Sequence, residues 1–475
     1  MRNPGSCVSG SAQSREPAVS TGGPQTCESS PTIKIVRFCR SACANDHRQN
    51  ECIEQTATLV SSSIEHHDGA VPRTSRVLVL GAGFAGLWAA LGAARRLDEL
   101  GVAQGAVDVT IVSSQPFHDI RVRNYEADLS PCRIPLQDLL DPAGVGHITA
   151  EVTGVDPTQA TVQTADGASL SYDRLVVALG SRLAKPDLPG LAEFAFDVDT
   201  YDGATRLQAH IRALSGRAAE PARSTAVVVG AGLTGIETAS ELPGMLSDAL
   251  GPEAAPRVIL VDHNPHVGSD MGESARPVIE DALAANHVDI LTGVGITAVD
   301  ARSVTLSSGE VVPAATVVWC AGMRANPLTA QFGVTRDRLG RLPVDDYLRV
   351  EGVTGVFAAG DVAVARMDDE HMSVMSCQHG RPMGRYAGYN VISDLLGGPM
   401  LSLRIPWYVT VLDLGPAGAV YTEGWDRRVV STGADAKATK QVINGERIYP
   451  PLTGDRADLL AAAAPELQAA PTYGD

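Results

Sequence analysis

The sequence is poor in aromatic residues, at 4 % of 475. It has no uninterrupted apolar run of eighteen residues, so a membrane-spanning helix is not expected. Beyond residue 73 no two cysteines stand close enough for a C-x-x-C or C-x-x-x-x-C pair. Cys132, Cys320 and Cys377 are scattered, and the other five of the eight precede residue 53. A disulfide scaffold is therefore not expected, and a reducing compartment is. Positive charge is also scarce: 38 basic against 55 acidic residues give −17. That balance excludes nucleic acid and anionic lipid as general partners.

Glycine and valine patterning is what the chain has instead. Val77 to Leu80 is a run of strand formers that meets Gly81-Ala82-Gly83-Phe84-Ala85-Gly86, and a helix-compatible run follows from Leu87. Strand, tight turn and helix in that order fit a dinucleotide site. Gly81 permits the turn, Gly83 lets the backbone approach a pyrophosphate, and Gly86 lets the helix pack on the strand. The helix start then offers free N–H groups to the phosphates. A second copy runs from Val227 through Gly230-Ala231-Gly232-Leu233-Thr234-Gly235 to Glu237. Behind each turn lies another β-rich run, ending 27 residues after the third glycine, at Ser113 and at Asp262. Two copies with one spacing predict two mononucleotide-binding folds and electron transfer between two bound cofactors.

The end of that second run discriminates between ligands. Asp262 places a carboxylate where ribose hydroxyls are held, and it repels a 2′-phosphate. No arginine stands beside it, which favours NADH over NADPH. In the first copy the position is Ser113, a weaker acceptor, with Arg121 further on. Ala178-Leu-Gly180 and the run to Gly322 read as strands entering small-residue turns, where backbone can pass close to a cofactor. Val356 to Gly360-Asp361 is a strand whose terminal carboxylate suits ribitol hydroxyls. Asp166-Gly167 signals a hairpin. His118 reads as structural.

In order, residues 1–73 read as a disordered tail, rich in Ser, Gly, Pro and Cys. Cys39, Cys43, His47 and Cys52 fit no familiar zinc spacing, and one reading starts the true protein just before Arg76. Residues 74–195 are the first part of the first dinucleotide-binding domain, 196–330 the second such domain, 331–395 the return to the first, and 396–475 a small C-terminal α+β domain. In that last part Ile405 to Leu412 and Gly418 to Thr422 are expected as strands and Leu459 to Leu467 as a short helix. The fold class expected is α/β, with one Rossmann-like domain inserted in another.

The order of these motifs resembles the two-dinucleotide-binding-domain flavoproteins, the pyridine nucleotide-disulfide oxidoreductase superfamily with its glutathione-reductase-like fold. Within it the chain is most similar to type II NADH:quinone oxidoreductases. Tyr125-Glu126, the Ser130-Pro131 to Pro135-Leu136 run and the Gly235-Ile-Glu237 helix start carry the likeness. The resemblance implies FAD at the first turn and NADH at the second, with Glu237 near the nicotinamide. Met375 to Gly384 occupies the place of that family's Ala-Gln…Gln-Gln quinone motif. Gln378 matches its first Gln, and Pro382 and Met383 replace the Gln-Gln pair. Gln378 and His379 are thus the expected lining of an acceptor pocket, where a histidine can supply a proton near neutral pH. The segment of Cys377 is placed by the same likeness near the flavin.

The expected partner is a small-molecule acceptor of the quinone kind; a homodimer stays open. The expected place is the cytoplasm, with peripheral attachment to the inner face of the cell membrane as the variant that quinone reduction implies. Residues 400–475 hold seven basic against nine acidic residues and show no basic or aromatic amphipathic face, which gives that attachment no support. Three other functions are carried alongside. They are a soluble NADH-dependent reductase serving a protein or a biosynthetic step, a slow redox sensor, and a sulfide:quinone reductase using flavin-facing thiols.

Overall fold

The computed structural model describes residues 74–467. The tail over 1–73 and its cysteines lie outside the described residues.

Strand β1 (Ser75–Leu80) is buried over its last four residues and leads through the glycine turn into helix α1 (Phe84–Glu99). Beside it lie β2 (Val107–Ser113), β3 (Gly146–Thr149) and β4 (Arg174–Val177), all parallel. Continuous Val, Ile and Leu runs form these strands because helices cover both faces and leave no polar side to alternate with. The short helix expected near Leu136 is Gln137–Ala143. The Asp166-Gly167 hairpin joins Thr161–Thr164 to Ser169–Ser171 in a small antiparallel meander.

The second unit repeats this plan. Strands β5 (Ala195–Phe196), β6 (Thr225–Val229), β7 (Arg257–Asp262), β8 (Val288–Thr292) and β9 (Thr316–Trp319) pair in parallel in the order β5-β9-β6-β7-β8. Helix α2 (Tyr201–Ala213) follows β5, helix α3 (Leu233–Leu250) starts at the second glycine turn, and helix α4 (Gly272–Ala285) precedes β8. A meander of Ile296–Val299, Ser303–Leu306 and Val311–Pro313 matches the first. The chain then returns to the first sheet with β10 (Val356–Ala358), completing the order β10-β4-β1-β2-β3. In each sheet the strand before the glycine turn lies centrally, and its neighbours continue in opposite directions. The carboxyl ends of β1 and β6 are therefore switch points, where such sheets bind ligands.

Helix α5 (Cys377–Leu395) packs on α1 through glycines one turn apart. A Cβ on Gly384 would sit 2.3 Å from the Ala85 carbonyl oxygen, and one on Gly388 2.1 Å from that of Ala89. Both helices therefore approach with backbone in contact and bring their N-termini to the same edge of the first sheet. The expected Met375–Leu396 helix thus begins two residues later, capped by Ser376.

The C-terminal segment holds more regular structure than the sequence suggested. Its sheet comprises β11 (Val409–Asp413), β12 (Ala419–Glu423) and β13 (Arg428–Thr432), antiparallel throughout. The expected start at Ile405 fails because Pro406 lacks an amide donor and the strand forms only beyond it. Helix α6 (Gly433–Val442) and β13 were not foreseen, since Gly433-Ala-Asp-Ala carries no apolar stripe. Helix α7 (Arg456–Ala462) ends before Pro465. Leu412 and Val420 join the core of the second unit, whereas Leu459 and Leu460 join that of the first, so this segment straps the two together.

Candidate functional site: two dinucleotide cradles and a buried ion pair

In the first turn the three glycines do three different things. Gly81 has φ +95°, and a Cβ there would meet the Ala178 carbonyl oxygen at 2.5 Å. A Cβ on Gly86 would lie 1.9 Å from the Gly81 carbonyl oxygen, so only hydrogen permits the helix to start there. A Cβ on Gly83 would meet no atom within 4 Å beyond its chain neighbours among the described residues. The second turn repeats the pattern. Gly230 has φ +107° and faces Ala321, Gly235 faces the Gly230 carbonyl at 1.7 Å, and Gly232 is open to 4.0 Å. Crowding at the outer glycines and space at the middle one is what a pyrophosphate on the helix N-terminus requires.

Gly180 and Gly322 both have positive φ and sit beside the first and second turns respectively. Asp262, at the end of β7, accepts the amide of Ala231 at 2.5 Å through one oxygen and that of Asn264 at 2.7 Å through the other. Its carboxylate is thereby fixed at the second turn, with acceptor capacity left for two hydroxyls. Leu233 and Thr234 open α3 there. Ser113 at the end of β2 has a less available side chain: its hydroxyl donates to the Gln115 carbonyl at 2.5 Å and lies 3.3 Å from His147 Nε2.

Asp361 follows β10, and Gly360 beside it packs against Ala85 of the turn. Ser181 donates a 2.6 Å hydrogen bond to the Asp361 carboxylate, and Arg121 Nη1 stands 3.8 Å away. Burial pushes this carboxyl above its ordinary range, opposed by Ser181 and Arg121. Arg121 is not free for a phosphate. It pairs with Asp199 and donates to Ser181 Oγ, tying the first cradle to the start of the second unit. His118 is structural as expected. Its Nδ1 bonds the Ala82 carbonyl oxygen at 2.8 Å, its ring meets Phe84 edge-on, and burial lowers its pKa.

At the start of α5, Gln378 has a buried Nε2 without a hydrogen-bond partner among the described residues. An orphaned donor at a helix N-terminus beside an open cradle fits a cofactor carbonyl. Met383, in place of one family Gln, is wholly buried in the first core. His379 differs from the proton donor expected. Its Nδ1 accepts the Val374 amide at 2.9 Å, and Tyr408 and Trp425 cover the ring at 5.5 and 6.0 Å between centroids. Burial lowers its pKa to about 4. With that pKa it is neutral near pH 7, which gives a titrating proton donor at this position no support.

A pH prediction follows. Between pH 6.5 and about 4 the unfolded chain binds a proton at His379 that the folded chain refuses, so stability falls as pH drops through this window. The contribution is about 3 kcal/mol at 1.36 kcal/mol per pH unit. His379→Gln keeps an acceptor for Val374, and its stability by urea denaturation should lose about that much less than wild type between pH 6.5 and 4.

Glu237 stands on α3, just past the second glycine turn. It is buried, and its Oε1 receives Lys440 Nζ of α6 at 2.8 Å and the Asp413 amide at 3.2 Å. Around the pair, Tyr125 donates to Asp413 at 3.1 Å, and Lys437 pairs with the same carboxylate. Burial raises the Glu237 carboxyl against the pull of Lys440; Lys440 is raised because Glu237 outweighs its own burial. The Lys440 ammonium also acts to lower the Cys377 thiol, whose pKa burial raises. Lys440 escaped the sequence reading. The only trace was Lys437-x-x-Lys440, one helical face of a helix itself unforeseen.

Thiol chemistry finds no support here. Burial pushes Cys132 up to about 11 and Cys320 to about 12, and raises Cys377 also. Each is unpaired, and no cluster of metal-ligating side chains occurs among the described residues.

These cradles define a class of protein, and comparison with known ones agrees. The family model described as pyridine nucleotide-disulphide oxidoreductase matches residues 75–384. The chain belongs to that family, and its two cradles take FAD and NADH. An NADH dehydrogenase-like protein of Mycobacterium tuberculosis is 71 % identical over 399 residues, covering 84 % of this chain and all of its own. A type II NADH:quinone oxidoreductase of that organism is 30 % identical over 326 residues, 62 % of this chain and 67 % of its own. Among solved structures, NDH2 from Plasmodium falciparum superposes with a TM-score of 0.69 at 13 % identity, over 82 % of this chain and 98 % of that one. At that identity the likeness speaks for the fold. The chain is an NADH-oxidising flavoenzyme, and among its described residues no helix is long and apolar enough to cross a membrane.

Proposed function

We propose that the protein passes electrons from NADH through FAD to a quinone-class acceptor: NADH, a proton and the quinone become NAD⁺ and the quinol. FAD, when bound, supplies the chemistry by accepting a hydride and releasing two electrons. The reading rests on one observation above the others. Two open pyrophosphate cradles stand in one chain with no thiol pair or depressed thiol among the described residues. A disulfide substrate would need such a thiol; a small diffusible oxidant does not. Asp262 orients the ribose of NADH, Gln378 Nε2 meets a flavin carbonyl, and Asp361 with Ser181 holds ribitol hydroxyls. Glu237 and Lys440 place a proton-exchanging pair near the ring system, and Gln378 and His379 wall the acceptor side.

A soluble acceptor is the second reading. Leu459 and Leu460 of α7 are spent on the first core and leave that helix no apolar face for a membrane. The alternatives of a reductase serving a protein partner and of a slow sensor differ in rate. The experiment is stopped-flow reoxidation of the NADH-reduced flavin by short-chain quinones, dioxygen and ferricyanide. Quinone should be fastest and should act at catalytic rates; slow reoxidation by every quinone tried overturns the proposal.

A further inference from the structure

One cavity has a lining that neither cradle explains. It holds about 470 Å³ and lies where the C-terminal segment covers α1 and α5. Trp88 of α1 forms its floor with Arg381 and Arg385 of α5, all three buried. Both guanidiniums sit over the indole, Arg385 at 4.3 Å and Arg381 at 5.3 Å from the ring centre. Tyr449, Pro450 and Leu467 form apolar wall. Two acids, Glu446 and Glu466, also line it, but at the exposed rim, whereas the two arginines are at the buried end.

The unmet hydrogen bonding is of one kind. Arg385 Nε and Trp88 Nε1 are buried donors without partners among the described residues. Buried cations are retained where something pairs with them. Burial and the neighbouring Arg381 lower Arg385 to about 10 against the pull of Glu466 at the rim, so it remains a cation at pH 7. Two planar cations stacked on an indole, with only donors facing inward, call for a flat π-system that ends in an oxyanion. The volume suits two or three fused rings. A Cβ on Gly384 of α5 would lie 2.3 Å from the Ala85 carbonyl oxygen at the first glycine turn and 3.0 Å from Trp88 Cβ, so the cavity floor lies on the α1–α5 seam that leads from the flavin cradle.

We propose that this cavity binds a planar aromatic carboxylate, and that the electron acceptor of the proposed reaction is a quinone carrying one. The second clause rests on the quinone reading; the first does not. The carboxylate is held by Arg385 and is not consumed: the quinone gains two electrons and two protons, and no other bond changes. Such an acceptor is water-soluble, in keeping with α7 spending its apolar face on the core.

The test compares 3-(1,4-naphthoquinon-2-yl)propanoate with its methyl ester, which share a ring and differ in charge. Flavin reoxidation by the acid should show a kcat/KM roughly 10- to 100-fold above the ester, the size of one charge-assisted hydrogen bond. Arg385→Met should erase that preference while leaving flavin content and flavin reduction by NADH unchanged. Arg385→Lys should keep part of it and guards against a folding defect in the methionine variant. Equal turnover of acid and ester, with Arg385→Met indistinguishable from wild type, overturns the proposal and leaves quinone reduction standing. Direct binding of naphthalene-2-carboxylate, read by quenching of tryptophan fluorescence, separates the opposite case. Binding that Arg385→Met abolishes, with no quinone accepted, keeps the anion site and removes the quinone reading.

Discussion

Lys440→Met is expected to cost about 3–5 kcal/mol of stability near neutral pH, the usual penalty for stranding a buried charge. Lys440 and Glu237 are each about nine-tenths shielded from solvent, and their 2.8 Å contact is the cation's main compensation. The sign of the pH dependence follows from what is left behind. Without the ammonium, burial acts on Glu237 with only the Asp413 amide left to oppose it, and its carboxyl rises further. The folded variant then binds a proton that the unfolded chain, with an ordinary carboxyl near 4.5, does not. Stability of the variant therefore falls as pH rises above that value, and the gap to wild type narrows on going from pH 8 to pH 5. In the wild type, Lys440 is itself raised, so its contribution is present below its ordinary 10.5 and is lost only as pH rises through its higher folded value. Chemical denaturation of both proteins at pH 5, 7 and 8 checks this. A constant gap across the three would show that the pair is not ionised in the way the geometry implies. The double variant Glu237→Gln, Lys440→Met should regain most of the loss, because two neutral groups leave no charge uncompensated.

The same pair separates structure from chemistry. Glu237→Gln keeps an acceptor for Lys440 and for the Asp413 amide, so the fold should survive. If flavin reduction by NADH and reoxidation by acceptor both proceed at wild-type rates, the pair is a strap between α3 and α6 and nothing more. A slowed reoxidation with normal reduction would place its proton on the acceptor's side.

What the sequence disclosed follows from what local patterns can encode. The two cradles were legible because each is a contiguous strand, turn and helix, and every contact that defines it lies within about 30 residues or falls on a small residue such as Ala178 or Ala321. Asp262 was legible for the same reason, since its place at the end of β7 is a matter of spacing. The Glu237–Lys440 pair was not, because 203 residues separate its members and α6 has no periodicity to announce it. Nor was the cavity behind Trp88, whose walls come from α1, α5 and residues after 445. The burial of His379 was not legible either, because it comes from Tyr408 and Trp425, distant in sequence. Arg121 could be placed from sequence only as following Ser113 in the first copy, and the fold shows that Asp199 engages it.

The largest contrast is expected between two substitutions three residues apart. Gly83→Ala adds a methyl group that meets no atom within 4 Å beyond its chain neighbours among the described residues, so the chain should fold with its stability in the absence of FAD nearly unchanged. Gly86→Ala puts the same methyl 1.9 Å from the Gly81 carbonyl oxygen. No flexible side chain can yield there, because both neighbours are backbone, and the start of α1 must move away from β1. That costs at least the 1–3 kcal/mol typical of overpacking and opens the seam at which Gly384 and Ala85 touch. Gly83→Ala should instead lose flavin. The methyl occupies the space the pyrophosphate needs, and weakening a hydrogen bond to a charged group costs about 1.5–3 kcal/mol, or roughly 10- to 150-fold in affinity. Purified Gly83→Ala should thus be folded by circular dichroism, pale at 450 nm, and restored by excess FAD; Gly86→Ala should be poorly folded whether or not FAD is supplied. The second cradle gives an internal control. Gly232→Ala should retain flavin and raise the KM for NADH, because its open space belongs to the other cofactor. Flavin loss from Gly232→Ala, or full flavin in Gly83→Ala, would reverse or remove the assignment of FAD to the first cradle and NADH to the second.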